Sequence, residues 1–262
     1  TATLQKAIDA LLARAVSDAN RPGSLPCPAP NSDGMALGVI PCPSHIGWLP
    51  WRTLDLPDLR DSSGERLWYV LSPAFQDTGI LNSNSVSTLT LDGAAGVSAL
   101  VIAPGPALAG QNRPSNNAGD YLDTWNGNPL TSNNDGNDSY FSGAGGASFN
   151  DKVMPLPTTT LLTNVGKRIL GEIRFAFTAG GGAAPYADAF PIPPAINDGL
   201  SNPLVDIGLF PYRNPAYLNI DSPSIPGQRW YISLENNGWL ALVTYNRLTR
   251  TISLNGQVQI LP

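Results

Sequence analysis

Apolar positions along the chain form two helical stripes and several short alternating runs, set apart by long polar stretches. Over residues 1–20, Leu4, Ile8, Leu11, Leu12, Ala15 and Val16 recur at i, i+4, i+7 and i+8, the single apolar face of an amphipathic helix. Asn20-Arg21-Pro22-Gly23 stops it. Nothing precedes Thr1 as a cap, so the natural helix is expected to continue upstream, with the N-terminus processed or truncated. A second helix is expected over 158–178, where Leu161, Val165, Ile169, Ile173 and Phe177 recur every fourth residue before Gly180-Gly181-Gly182.

Strands are expected at 66–75, 86–91 and 97–103, the last stopped by Pro104-Gly105-Pro106. The C-terminal part reads as strands at 229–234 and 239–245 around an Asn236-Asn237-Gly238 turn. A final strand at 251–261 is broken by Asn255-Gly256, and Asn-Gly between apolar runs is a strong hairpin signal. Residues 21–65 and 183–226 read as Pro-rich irregular segments, and 110–150 as a long polar loop. Helix, stop, Pro-rich segment, Asp-Gly turn and Trp-containing strand occur in that order twice. The first series runs through Asn31–Gly34 to Trp68, the second through Asn197-Asp198-Gly199 to Trp230 and Trp239, which suggests a degenerate repeat.

Composition narrows the class. Only 13% of residues are charged, about half the usual share for soluble domains, and 26 Gly with 25 Pro favour turns. Low charge with abundant Gly, Asn and Ser is common among exported proteins. The net charge of -5 and three lysines (Lys6, Lys152, Lys167) leave no basic face for nucleic acid. No stretch reaches the ~20 apolar residues that span a bilayer. The two cysteines, Cys27 and Cys42, are each bracketed by prolines. In an exported protein a disulfide between them is expected, worth roughly 3 kcal/mol for such a loop; two unpaired buried thiols are the alternative.

The first seventy residues carry a family resemblance. Arg21-Pro-Gly-Ser-Leu-Pro-Cys-Pro-Ala-Pro-Asn-Ser-Asp-Gly34 is followed by Cys42, then Gly47-Trp-Leu-Pro-Trp-Arg-Thr-Leu-Asp-Leu-Pro57 and Arg66-Leu-Trp-Tyr-Val70. This resembles bacterial type IV prepilin-like proteins with the pattern LPCPA…DG…C…G.LPW.TLGLP…RY.V. Asp55 stands where the pattern has Gly, and Ser62-Ser63-Gly64 replaces its Trp-Gly. Ala103–Pro114, Tyr121-Leu-Asp123, Ser148-Phe-Asn-Asp151 and Asn237-Gly-Trp239 extend the likeness over most of the chain.

The resemblance implies an α+β, pilin-like fold, with an N-terminal amphipathic helix on an antiparallel sheet, long loops, and a second helix-plus-strands section. Residues 1–20 would be the C-terminal half of the pilin helix. Residues 21–157 would be the globular part with the disulfide and polar loops, and 158–262 the second helix and C-terminal strands. It implies a structural subunit, minor or specialised, of a type IV pilus or type II secretion filament, exported to the periplasm or cell exterior. Its partners would be other pilin-like subunits, met through the N-terminal helix, with the inner membrane reached only through an absent upstream segment. A filament-displayed adhesin or carbohydrate-binding module is the alternative, and a secreted hydrolase the second alternative.

Candidate chemistry is sparse, and the chain is read as a non-enzyme with no cofactor. His45 is the only imidazole, and adjacency to Ser44 is not triad geometry. Asp55, Asp58 and Asp61, and Asp120 with Asp123, could be paired carboxylates, but turn-forming Asp is the ordinary reading. Asn133, Asp135 and Asn137 lie in a Ser132–Ser139 run that hints at a calcium loop without matching its register. Asp120, Asp123 and Asp151 could join such a site only if the fold gathers them. Gly143–Gly146 and Gly180–Gly182 lack the context of a phosphate loop. Trp68, Trp230 and Trp239 read as core, and Trp125, in the polar loop, is the candidate surface contact for a partner or glycan.

Overall fold

The computed structural model describes residues 1–125, 131–143, 148–179, 206–210, 212 and 228–261. The expected glycine stop at Gly180–Gly182, the turn at Asn197–Gly199, Gly145 and Gly146, and most of 183–226 lie outside the described residues. The fold is mixed α+β, in two compact units. The first comprises Thr1–Ser17, Ser24–Thr78 and Ser85–Leu161, and the second Asp18–Gly23, Gly79–Asn84 and Leu162–Pro262. Among the described residues no helix is long and apolar enough to cross a membrane.

In the first unit, helix α1 (Ala2–Ser17) buries Leu4, Ala7, Ile8, Leu11 and Ala15, and leaves Leu12 and Val16 half-covered. The sheet is built from β1 (Ile46–Trp48), β2 (Trp68–Leu71), β3 (Leu89–Leu91), β4 (Ala94–Ala103), β5 (Ser139–Tyr140) and β6 (Lys152–Pro157). Its order is β1-β2-β4-β3-β5, with β6 also paired to β4. All pairings are antiparallel except β3 with β5. The ten-residue β4 is the spine because its last seven residues, Val97–Ala103, are uniformly apolar or small and buried, as a strand covered on both faces requires. Trp68, Val70, Leu100 and Ile102 face one cluster with Trp48, Tyr121 and Tyr140. Alternate residues such as Tyr69, Leu71, Ala99 and Val101 point the other way, and α1 packs against β4 and β6.

The second unit holds most of α2 (Thr158–Ala179), then β7 (Ile207–Leu209), α3 (Gln228–Asn236), β8 (Thr244–Asn246), β9 (Thr251–Leu254) and β10 (Gln257–Ile260). Its antiparallel sheet runs β10-β9-β8-β7. Val165, Ile169 and Ile173 are fully buried, in line with their four-residue period. The β9–β10 hairpin turns at Asn255 (φ 52) and Gly256 (φ 72), the doubly positive pair that Asn-Gly supplies.

Three expected elements are corrected here. Residues 229–234 are helical, not a strand: Tyr231 and Leu234, three apart, are buried, while Ile232 is 39% exposed. Asn236-Asn237-Gly238 is accordingly a helix end rather than a hairpin turn. Trp239 N donates to Leu234 O (2.8 Å) and Gly238 N to Glu235 O (2.8 Å), with Gly238 at φ 73, the Schellman arrangement. The expected strand 239–245 is a 3-10 turn at Leu240–Leu242 followed by β8. The suggested repeat therefore loses its second Trp strand.

The same pair of turn-closing bonds recurs at 51–56, in a turn without a helix. Leu56 N donates to Trp51 O (2.8 Å) and Asp55 N to Arg52 O (3.1 Å), with Asp55 at φ 54. The residue that replaces the pattern's glycine thus occupies a left-handed position where glycine is the unstrained choice.

Candidate functional site

Two features of the first unit carry unusual chemistry, a cystine loop and a buried polar network. Cys27 and Cys42 form a disulfide with Cα atoms 5.5 Å apart, closing a sequence separation of 15. Main-chain bonds anchor the flanks of this loop. Leu25 N donates to Phe75 O (2.8 Å), Ala29 and Trp48 exchange both backbone bonds, and Cys42 N donates to Gln76 Oε1 (2.9 Å). At Gly34 (φ 77) an added Cβ would lie 2.2 Å from Trp51 Nε1, so only glycine fits. The loop leaves Met35, Leu37, Val39 and Ile40 exposed, beside a groove of about 370 Å³ that reaches Arg14 and Asp77.

The network is built from the polar segment between β4 and β6. Arg113, its side chain only 6% exposed, is the hub. Nη1 donates to Gly105 O (2.7 Å), Nε to Asp120 O (2.7 Å), and Nη2 to Gln111 Oε1 (2.7 Å) and Tyr121 O (3.0 Å). The guanidinium lies 4.5 Å from the centre of the Tyr121 ring and 3.4 Å from Glu65 Oε1. A planar five-donor fork suits this convergence of carbonyls; an ammonium could not span it.

Gln111 Nε2 passes the network on to Asp123 Oδ1 (2.9 Å). Asp123 and Asp151 then clasp each other reciprocally. Asp151 N and Asn150 N donate to Asp123 Oδ2 (3.2 and 2.6 Å), while Asp123 N donates to Asp151 Oδ2 (2.9 Å). Asn133 Nδ2 gives Asp151 Oδ2 a second donor (3.0 Å). Asp123 and Asp151 are 3% and 2% exposed, and Asp151 Oδ1 is buried with no hydrogen-bond partner. Burial, then the neighbouring Asp123 carboxylate, pushes the Asp151 carboxyl up to about 8. Burial also raises Asp123, against the pull of its three N–H donors. Asp120 is held below the ordinary range by the Ser115 hydroxyl and Asn112 N.

The residues singled out in the sequence fall as follows. Trp125 is half-buried, its ring 5.5 Å from that of Phe149 and packed so closely on Gly143 that an added Cβ there would meet it at 2.2 Å. Asn133, Asp135 and Asn137 do not converge. Asn133 Oδ1 accepts from Phe141 N (2.8 Å), both Asp135 oxygens accept from Asn137, and Asn137 Oδ1 accepts from Ser139 N (2.8 Å). They close successive turns, and Asn133 offers Asp151 its donor end. Ser44 Oγ donates to Ile46 O (2.6 Å) rather than engaging His45. Asp58 pairs with Arg60 and Arg66, and Asp61 caps the Ser63, Glu65 and Gly105 amides, so these carboxylates serve separate structural roles. Among the described residues no three His, Cys, Asp or Glu side chains are grouped to hold a metal.

Sequence reasoning named Asp123 and Asp151 as residues that only the fold could unite, and it missed Arg113. The signal for Arg113 was a lone arginine in an Asn/Gly/Ser-rich loop. Comparison of the chain with protein-family models, with curated proteins and with solved structures finds no match.

Proposed function

We propose that this chain is a structural subunit, minor or specialised, of a pilin-like bacterial filament in the periplasm or on the cell surface. The observation that carries the reading is the docking of α1, by a single buried stripe, onto β4 and β6 of a largely antiparallel sheet, next to the Cys27–Cys42 loop. That is the arrangement the LPCPA…LPW resemblance implies. Two further points support it. Asp55, in place of the pattern's glycine, holds a left-handed φ of 54, a conformation that glycine adopts without strain. The cystine loop exposes four apolar side chains on one short segment, surface of the kind that subunit packing covers.

The test is the complete reading frame expressed in a bacterium that assembles such filaments. A basic leader followed by about twenty apolar residues leading into Leu4–Val16, with the product recovered in sheared surface filaments, is the expected result. An ordinary cleaved secretory signal ending at Thr1, with the product free in the medium, would overturn it.

A further inference from the structure

Four carboxylate oxygens meet in the Asp123–Asp151 clasp, and five N–H donors face them. Asp123 takes one donor on Oδ1 and two on Oδ2, and Asp151 takes two on Oδ2. The fourth oxygen, Asp151 Oδ1, has none and is shut off from solvent. An ionised oxygen stripped of water and given no donor is far costlier than a neutral hydroxyl in the same place. The charged groups that act on Asp151 are Asp123, which opposes a second negative charge, and Arg113, which is reached only through Gln111 and is also 3.4 Å from Glu65. Lys152, next in the chain, is exposed. The surroundings do not suit a hard cation, which takes six or more oxygen ligands, because the pair is ringed by N–H donors.

We propose that Asp123 and Asp151 form a proton-operated clasp: one proton held on Asp151 Oδ1 lets the pair fasten the backbone at Asp123 and Asn133 to the start of β6, and its loss in alkaline medium loosens that fastening. Asp123, with three donors, carries the negative charge, and Asp151 carries the proton. When Asp151 gives the proton to hydroxide, two buried carboxylates face each other and share a single, partly spent guanidinium. What must yield is the set of bonds that holds them in contact: Asp123 N to Asp151, Asn150 and Asp151 N to Asp123, and Asn133 to Asp151. Asn133 N also donates to Asp123 O (2.9 Å), so the polar segment is tied to the same latch. This inference does not depend on the filament reading.

The experiment is a titration of the protein labelled with carbon-13 at its Asp carboxyls, followed by NMR from pH 4 to 10, with amide exchange at Asp123, Asn150 and Asp151 measured over the same range. One carboxyl is expected to titrate near pH 8 and to disappear in Asp151→Asn, which keeps the shape and supplies a permanent neutral group. Exchange at the three amides is expected to rise with pH more steeply in the native chain than in that variant. If every Asp carboxyl titrates below about pH 5, as free Asp does, or if the three amides show the same pH dependence in both proteins, the clasp is refuted. Should Asp151→Asn not fold, the carboxyl titration of the native chain decides alone.

Discussion

Replacing Arg113 tests whether the polar segment is held by one buried fork. In Arg113→Met the stem is kept and the guanidinium is lost. The carbonyls of Gly105, Asp120 and Tyr121 then lose their donor, the Gln111 side-chain oxygen keeps only Leu108 N, and Glu65 loses its counter-charge. Each abandoned acceptor costs about 1 kcal/mol at the low end, which applies here because water reaches part of this segment. With the stacking on Tyr121 added, the loss comes to about 3–5 kcal/mol, the range for breaking one side of a buried ionic contact. Arg113→Lys should recover only a small part, since an ammonium cannot reach carbonyls on residues 105, 120 and 121 together. Urea unfolding followed by tryptophan fluorescence measures this. With a slope of about 2 kcal/mol/M, the midpoint of Arg113→Met should drop by about 1.5 M or more. Limited proteolysis should find new cleavage within 105–123. A loss below about 1 kcal/mol, or a Lys variant as stable as the native protein, would refute the claim that the fork organises the segment.

Reduction of the disulfide, or Cys27→Ser with Cys42→Ser, should cost about 3 kcal/mol in the first unit through the entropy of the opened loop; thiol labelling before and after reductant checks the bond, and urea unfolding checks the cost. Two left-handed positions should respond with opposite signs. Gly34→Ala meets the Trp51 indole at 2.2 Å and adds strain at φ 77, so a loss of at least about 2 kcal/mol is expected. Asp55→Gly relieves φ 54 and should gain about 0.5 kcal/mol; thermal melts of the two variants decide. For Asp151 the folded carboxyl is raised to about 8 from 3.8, so the folded chain keeps a proton that the unfolded chain has released. Stability from this group is therefore greatest below about pH 4 and falls by about 1.4 kcal/mol per unit as pH rises toward 8. Melts from pH 4 to 9 should show the fall, flattened in Asp151→Asn.

Periodicity alone determined the elements whose structure is local. The α1 stripe and the four-residue beat of α2 each fix their own backbone type, because burial of one helical face rewards only one period; the continuous run of β4 was read as a strand from its shortness and the Pro104-Gly105-Pro106 stop. The Asn255-Gly256 turn was legible because two successive positive φ angles leave few residue choices. The Cys27–Cys42 disulfide was expected from the signs of export, with two unpaired thiols as the alternative, and the folded chain forms it.

Tertiary structure decided the rest. Residues 229–234 alternate well enough for a strand, and the helix was settled by burial of Tyr231 with Leu234 and by Gly238 closing a Schellman cap. A short apolar run carries both periods at once, so its neighbours choose. The polar network was beyond reading because its parts are far apart in sequence: Asp123 and Asp151 are separated by 28 residues, and Glu65 meets Arg113 across 48. Asp, Asn and Arg in a loop are, by sequence, turn formers and solvated charges. They become a buried, proton-holding cluster only where a folded chain excludes water and leaves them one another as partners.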